Sequence, residues 1–161
     1  YAGFPTALNG LGALSAVLAE GPAAAQPPVA LPEPESRAER MERGNAFLAR
    51  TTAGSGEAVV RSFDDLAPDL GRLIVEHAYG DVFSRAGLDP KVRELCAISA
   101  LAGVGSTTTE VPLKVHMRAA IKLGATRAEI EEVLLNLEPY LGQATAAKAL
   151  AAVAEEMGSR Q

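Results

Sequence analysis

Two histidines, one cysteine and a few arginines are the residues of this 161-residue chain whose types and spacing could do chemistry. His116 lies four residues after Pro112, within Leu113-Lys114-Val115-His116-Met117-Arg118. An imidazole changes charge near neutral pH, so it can accept a proton and return it within one turnover. On residue type alone, a half-buried histidine bonded to a backbone carbonyl is the simpler reading. Arg85, Arg93 and Arg118 are candidates to hold a substrate carboxylate, because a guanidinium fork matches that geometry. Each is equally an ordinary surface residue when taken by itself. Cys96 is the single cysteine, which excludes an internal disulfide and a cysteine-rich zinc site. With only His77 and His116 besides, no structural metal is expected. A lone cysteine on an apolar helix face is expected to pack.

The elements that must position these groups are helical. Apolar residues make up 48% of the chain, enough for a core, but they are mostly Ala, Leu and Val, and Trp is absent. Ala and Leu lose little side-chain entropy in a helix. No stretch shows sustained strand alternation, so the expected class is all-α. The net charge of −5 leaves no broad basic surface, and nucleic-acid binding is not expected. Ala7 to Ala19 imitates a signal peptide only superficially, since no Lys or Arg precedes it and Glu20 stands where cleavage would begin. It is also too short and Gly-interrupted to span a bilayer. The expectation is a cytoplasmic protein with no membrane partner.

Pro5 suits the first turn of a helix ending near Glu20. Five prolines between Pro22 and Pro34 mark residues 21–36 as an extended linker. Ser36 with Glu39 opens a charged helix through about Arg50. A short helix follows over Ser55 to Phe63. Pro68 opens another that carries Leu70, Leu73, Ile74, His77 and Ala78 at helical spacing, which places His77 on a packing face. Gly80 to Leu88 reads as a loop. Asp89-Pro90 is a helix start, and Val92, Leu95, Cys96, Ser99 and Ala102 are expected on or near one face. After a Gly/Thr loop, Pro112 opens the helix that carries His116. Thr126 and Glu129 form a capping box for the next, Pro139 breaks or kinks it, and an Ala-rich helix runs from Leu141 to Met157.

The chain also echoes itself. Tyr1-Ala2-Gly3 onward aligns with Tyr140-Leu141-Gly142 onward, pairing Ala7 with Ala146, Leu11 with Leu150 and Ala13 with Ala152. Either two Ala-rich amphipathic helices look alike, or a terminal helix is duplicated, from a preceding module or through a permuted arrangement. The expected organisation is a terminal-type helix over 1–20, the linker, and a helical domain over 37–161.

Three stretches taken together resemble the carboxymuconolactone decarboxylase family, within the alkylhydroperoxidase D-like superfamily. They are Tyr79-Gly80-Asp81-Val82-Phe83-Ser84-Arg85 with Gly87-Leu88-Asp89, then Arg93-Glu94-Leu95, then Leu113 to Ala120 around His116. Gly124 to Leu134 looks like the family's next helix start. The resemblance implies a bundle built around an antiparallel helix pair, assembled into trimers or hexamers with active sites near subunit contacts. A thin Ala/Leu core is consistent with burial of further apolar surface by assembly.

The resemblance also assigns roles. His116 matches the family's histidine, and Glu94 matches an acidic position on the preceding helix, where a carboxylate would orient the ring; its plain alternative is an exposed helix charge paired with Lys91 or Arg93. At position 77 the family tends to carry an aromatic. The peroxidase branch has a Cys-x-x-Cys before its histidine, but Thr109 and Pro112 stand there in this chain, so two-cysteine peroxidase chemistry is excluded. The implied activity is cofactor-free decarboxylation of a small carboxylated lactone or related ring, with His116 delivering the proton and an arginine anchoring a carboxylate. A cofactor-free isomerase or cyclase on another ring, or a non-catalytic assembly role, stands beside it.

Overall fold

The computed structural model describes residues 3–20, 36–105 and 109–158, and they are all-helical. The linker expected over 21–36 lies outside the described residues except for Ser36, as does Tyr1 of the internal echo. No helix among the described residues is long and apolar enough to cross a membrane.

Helix α1 spans Phe4–Glu20 and every one of its residues is exposed. Helix α2 spans Arg37–Thr52, opened by the expected box: Glu39 N–H donates to Ser36 Oγ, and Glu39 Oε2 accepts from Ser36 N–H at 2.8 Å. Two short helices follow, α3 (Ser55–Arg61) and α4 (Pro68–Leu73). Helix α4 runs directly into a ten-residue π-helix, Ile74–Phe83. Gly80 to Phe83, expected as loop, therefore belongs to a helix. The reason is tertiary. Gly44 of α2 lies against the Val75 carbonyl, and a Cβ on Gly80 would sit 2.6 Å from the Arg40 carbonyl. Two glycines thus let the α2 and π-helix backbones touch. Arg40 and Arg43 then grip Asp81 at 3.1 and 3.7 Å, and Phe83 packs on Phe47 and Tyr79.

Helix α5 (Pro90–Val104) starts as expected, with Asp89 accepting from Lys91 N–H at 2.8 Å, and stops at Gly105 in the left-handed region (φ +64°). Helix α6 (Glu110–Lys122) begins two residues before Pro112. Helix α7 (Arg127–Leu135) has the Thr126–Glu129 capping box. Pro139 sits in a separate one-turn helix, α8 (Glu138–Leu141), and α9 spans Gln143–Gly158.

One apolar cluster joins α5, α6, α7 and α9 through Ile98, Leu113, Met117, Ile130, Leu134 and Val153. A second joins α2 to the π-helix through Phe47, Leu48, Val75, Tyr79 and Phe83, with Ala97 of α5 reaching into it. Each fully buried Leu, Ile or Val contributes roughly 1.5–3 kcal/mol. The face expected for α5 holds only in part: Ala102 is buried and Leu95 packs against the core, but the centre of the buried side lies elsewhere. Its buried residues are Glu94, Ala97, Ile98, Leu101 and Ala102, while Val92 and Cys96 are exposed. Cys96 does not pack into the core.

The internal echo acquires a physical content. Helices α1 and α9 are each preceded by a glycine at positive φ, Gly3 (+83°) and Gly142 (+79°). The buried residues of α9 are Ala146, Ala149, Ala152 and Val153. Their counterparts in α1 are Ala7, Gly10, Ala13 and Leu14, closely matched in volume and all exposed.

Candidate active site

Two polar residues occupy positions where their helices otherwise present core. On α5, Glu94 shares a stripe with Ala97, Ile98, Leu101 and Ala102, the i, i+3, i+4, i+7, i+8 pattern of a core-facing side. On α6, His116 lies among Leu113, Met117 and Ala120 in the same register. Packing α5 along α6 brings the two together. His116 Nδ1 stands 2.6 Å from Glu94 Oε2. Glu94 is 0% exposed and His116 4%. With the carboxylate as acceptor, Nδ1 carries a proton, which fixes the ring's orientation. Desolvating such a pair costs several kcal/mol, and only the partner and local hydrogen bonds offset it.

The Phe83 ring lies on His116, with centroids 5.5 Å apart and planes 18° from parallel. Tyr79 packs on Phe83 in turn. Burial pushes the Tyr79 phenol up to about 12, and the carboxylates of Glu94 and Glu57 add to the effect, so Tyr79 stays a neutral donor. Beside these rings opens a cavity of about 420 Å³. Its walls are largely apolar, from Val59, Val60, Ile74, Val82, Val111 and Val115. Its polar side chains are those of His77, Tyr79 and His116. A second, smaller cavity of about 160 Å³ lies among α5, α6 and α9 and holds Lys148, Glu110 and Glu155. It has no contribution from His116. The larger one is the candidate site, because it alone of the two meets the buried acid–base pair.

The arginines lie elsewhere. Arg118 forks onto Glu156 of α9 at 2.5 and 2.7 Å. Arg93 donates to the carbonyls of Arg85 and Ala86 at 2.8 and 3.2 Å, which ties down the loop after the π-helix. Neither these two nor Arg85 lines the cavity. His77 is not on a packing face. Its side chain is 63% exposed, it lines the cavity, and its Nδ1 stands 3.5 Å from Asp81 Oδ2. Tyr79, Phe83 and Asp81 were quoted in the sequence only as part of a resemblance, with no role. Glu76 was missed. It is buried among Arg37, Arg40 and Arg72 and joins α2 to the π-helix.

The sequence pattern that defines the carboxymuconolactone decarboxylase family matches residues 68–155, more than half of the chain. The chain belongs to that family. The matched region contains the π-helix, Glu94, His116 and most of α9, so both members of the acid–base pair lie within it. Within the carboxymuconolactone decarboxylase family, the chain is similar to the 4-carboxymuconolactone decarboxylase of Acinetobacter baylyi, with 33% identity over 83 residues, 52% of this chain and 60% of that protein. It is also 33% identical over 91 residues to an uncharacterised 15.0 kDa protein of Paracoccus denitrificans, covering 56% of this chain and 67% of that one. The nitrosuccinic acid decarboxylase of Metarhizium robertsii is 36% identical over 78 residues, 48% of this chain and 52% of the relative. The matches to the two named decarboxylases thus span little more than half of their lengths.

Proposed function

We propose that this protein is a cofactor-independent decarboxylase of small carboxylated lactones, with His116 as the proton donor and Glu94 as the residue that holds it. The observation that carries the reading is the buried His116–Glu94 contact at 2.6 Å on the wall of an apolar cavity. Family membership and the two named decarboxylases among its relatives support it.

The bond from the ring carbon to its carboxylate breaks, CO2 leaves, and the electron pair passes into the unsaturated lactone as a dienolate. The imidazolium of His116, protonated on both nitrogens, gives its Nε2 proton to carbon and recovers one from solvent. The lactone carbonyl is itself the electron sink. Glu94 remains a carboxylate and stabilises the charged ring. Apolar walls favour the step, because a carboxylate loses solvation there while neutral CO2 does not. A proton donor so placed accounts for about 10²–10⁴ of the rate.

The Metarhizium relative favours a second substrate class for the same donor, a carboxylic acid whose sink is an adjacent nitro group. The test offers γ-carboxymuconolactone and nitrosuccinate to the purified chain and follows CO2, with His116→Gln alongside. Turnover of either, lost in the variant, supports the reading and chooses the class. No CO2 from either overturns it.

The working form is proposed to be a homo-oligomer, trimer or hexamer. Exposed Leu66, Leu70, Leu73 and Val111 support this. Light scattering would give three or six times 16.7 kDa; a monomer at working concentration would refute it.

A further inference from the structure

A decarboxylase of this kind has two electrostatic tasks that conflict. The carboxylate to be lost needs an apolar surrounding, since a cation beside it would stabilise it against leaving as CO2. A charged substrate also needs a group that attracts and orients it. The apolar cavity walls meet the first need, and among the described residues no arginine or lysine lines them. Among the described residues lining the cavity, His77 and His116 are those whose side chains can become cations.

The setting of His77 differs from that of His116. His116 is buried against Glu94, whereas His77 is largely exposed at the cavity's edge on the π-helix. Long π-helices are rare and concentrate at functional sites. The winding is real in its hydrogen bonds, with Ser84 N–H reaching back five residues to the Tyr79 carbonyl at 3.1 Å. Asp81, one turn on, faces His77 Nδ1 at 3.5 Å and can orient the ring so that Nε2 serves a ligand. Asp81 does not simply neutralise it. The same Oδ2 accepts from Arg40 at 3.1 Å, and Arg43 stands 3.7 Å from Oδ1. Among the described residues, Arg37, Arg40, Arg43 and Arg72 are joined to Asp69, Glu76 and Asp81 in one network. Asp81 is thus shared with Arg40 and Arg43, so it compensates an imidazolium at position 77 only in part.

We propose that His77, positioned by Asp81, is the carboxylate-binding group of this site, and that it holds a carboxylate the reaction retains. The lost carboxylate then lies deeper, by the apolar walls and His116. This rests on the decarboxylase reading for the fate of the second carboxylate, but the binding role of His77 can be tested without turnover.

With two histidines in the chain, imidazole resonances report both sites separately, and His77→Phe assigns them. The probes are furan-2-acetate, a five-membered ring with one carboxylate, and its neutral methyl ester, titrated at mildly acidic pH. The acid should bind at least about tenfold more tightly than the ester and move the His77 resonance. His77→Phe should erase that preference, His77→Lys should restore it, and Asp81→Asn should weaken it. Because the His77 side chain is mostly exposed, the two His77 variants leave the core intact, and circular dichroism checks this for them and for Asp81→Asn, whose carboxylate also holds Arg40 and Arg43. Equal binding of acid and ester, no binding of either, or a preference that survives in His77→Phe overturns the proposal. With the lactone as substrate, His77→Phe should raise KM about tenfold and leave kcat nearly unchanged. Failure of the lactone to react, with the acid preference intact and lost in His77→Phe, sinks the decarboxylase reading and leaves the binding site standing. Turnover with an unchanged KM in His77→Phe does the reverse.

Discussion

Nδ1 of His116 and Oε2 of Glu94 are 2.6 Å apart in the interior, and the other Glu94 oxygen, Oε1, is buried with no hydrogen-bond partner among the described residues. The charge of Glu94 is thus compensated mainly by one imidazole. Removing His116 leaves the Glu94 carboxylate buried without that partner, and removing Glu94 takes from the His116 ring its carboxylate; the loss of such a buried partner costs about 3–5 kcal/mol.

The first prediction is non-additivity. Glu94→Leu and His116→Phe should each destabilise strongly, while the double variant should be markedly more stable than the sum of the two losses predicts. Urea unfolding of the four proteins measures this cycle. Additive losses would mean that the pair does not act as a unit.

A second concerns catalysis. Glu94→Gln keeps the shape and a possible acceptor but no charge, so kcat should fall about 10–100-fold with KM little changed. An unaltered kcat would remove Glu94 from the reaction and leave it a packing residue.

Backbone contact between α2 and the π-helix supplies a third. Gly44→Ala drives a Cβ into the Val75 carbonyl, and Gly80→Ala into that of Arg40. Neither backbone can yield cheaply, so each should cost at least about 1–3 kcal/mol and lower Tm by several degrees. Gly12→Ala in α1, where a Cβ meets open space, should be neutral or stabilising by about 0.5–1 kcal/mol. Equal effects at all three positions would contradict the packing described here.

The exposed face of α1 yields a fourth. Leu11→Asp with Leu14→Asp should shift the unfolding free energy of the chain by no more than about 0.5 kcal/mol, because these residues bury nothing against the core. A large loss, read by thermal unfolding, would show that α1 packs on a neighbour in solution.

The fifth is a pH effect. Lys91, by a 2.7 Å hydrogen bond, and then the Thr126 backbone hold Glu129 down to about 2. A depressed carboxylate contributes stability that is fully present above its usual value of 4.5 and is lost as pH falls from there towards 2. Glu129→Gln should therefore flatten the acid limb of the stability curve between those values, and it should also remove the alkaline-limb stability that Lys91, raised mainly by its hydrogen bond to Glu129, contributes. An unchanged acid limb would show that this bond does not persist in solution.

The helix starts were legible in the sequence because they are local. Ser36 with Glu39, Asp89 with Pro90 and Thr126 with Glu129 satisfy orphan N–H groups within three residues, so the signal is complete in a short window. The family resemblance likewise came from residue order, and it named His116 and Glu94, which the fold brings into contact. The register of Glu94 with Ala97, Ile98, Leu101 and Ala102 was also present in the sequence, but a carboxylate is buried in such a stripe only because α6 brings a histidine to it.

What the tertiary structure alone decided was everything that depends on distant partners. Arg118 is taken up by Glu156, 38 residues away, and Arg93 by the carbonyls of a loop, so neither reaches the cavity. The helix through Gly80 and its π-winding follow from contact with α2 some 40 residues earlier, and that contact is what carries His77 to the cavity edge beside Asp81. A sequence specifies caps and periodicity through near neighbours, whereas the surroundings of a side chain are set by which helices meet, and that is a sum over packing contacts no short window contains.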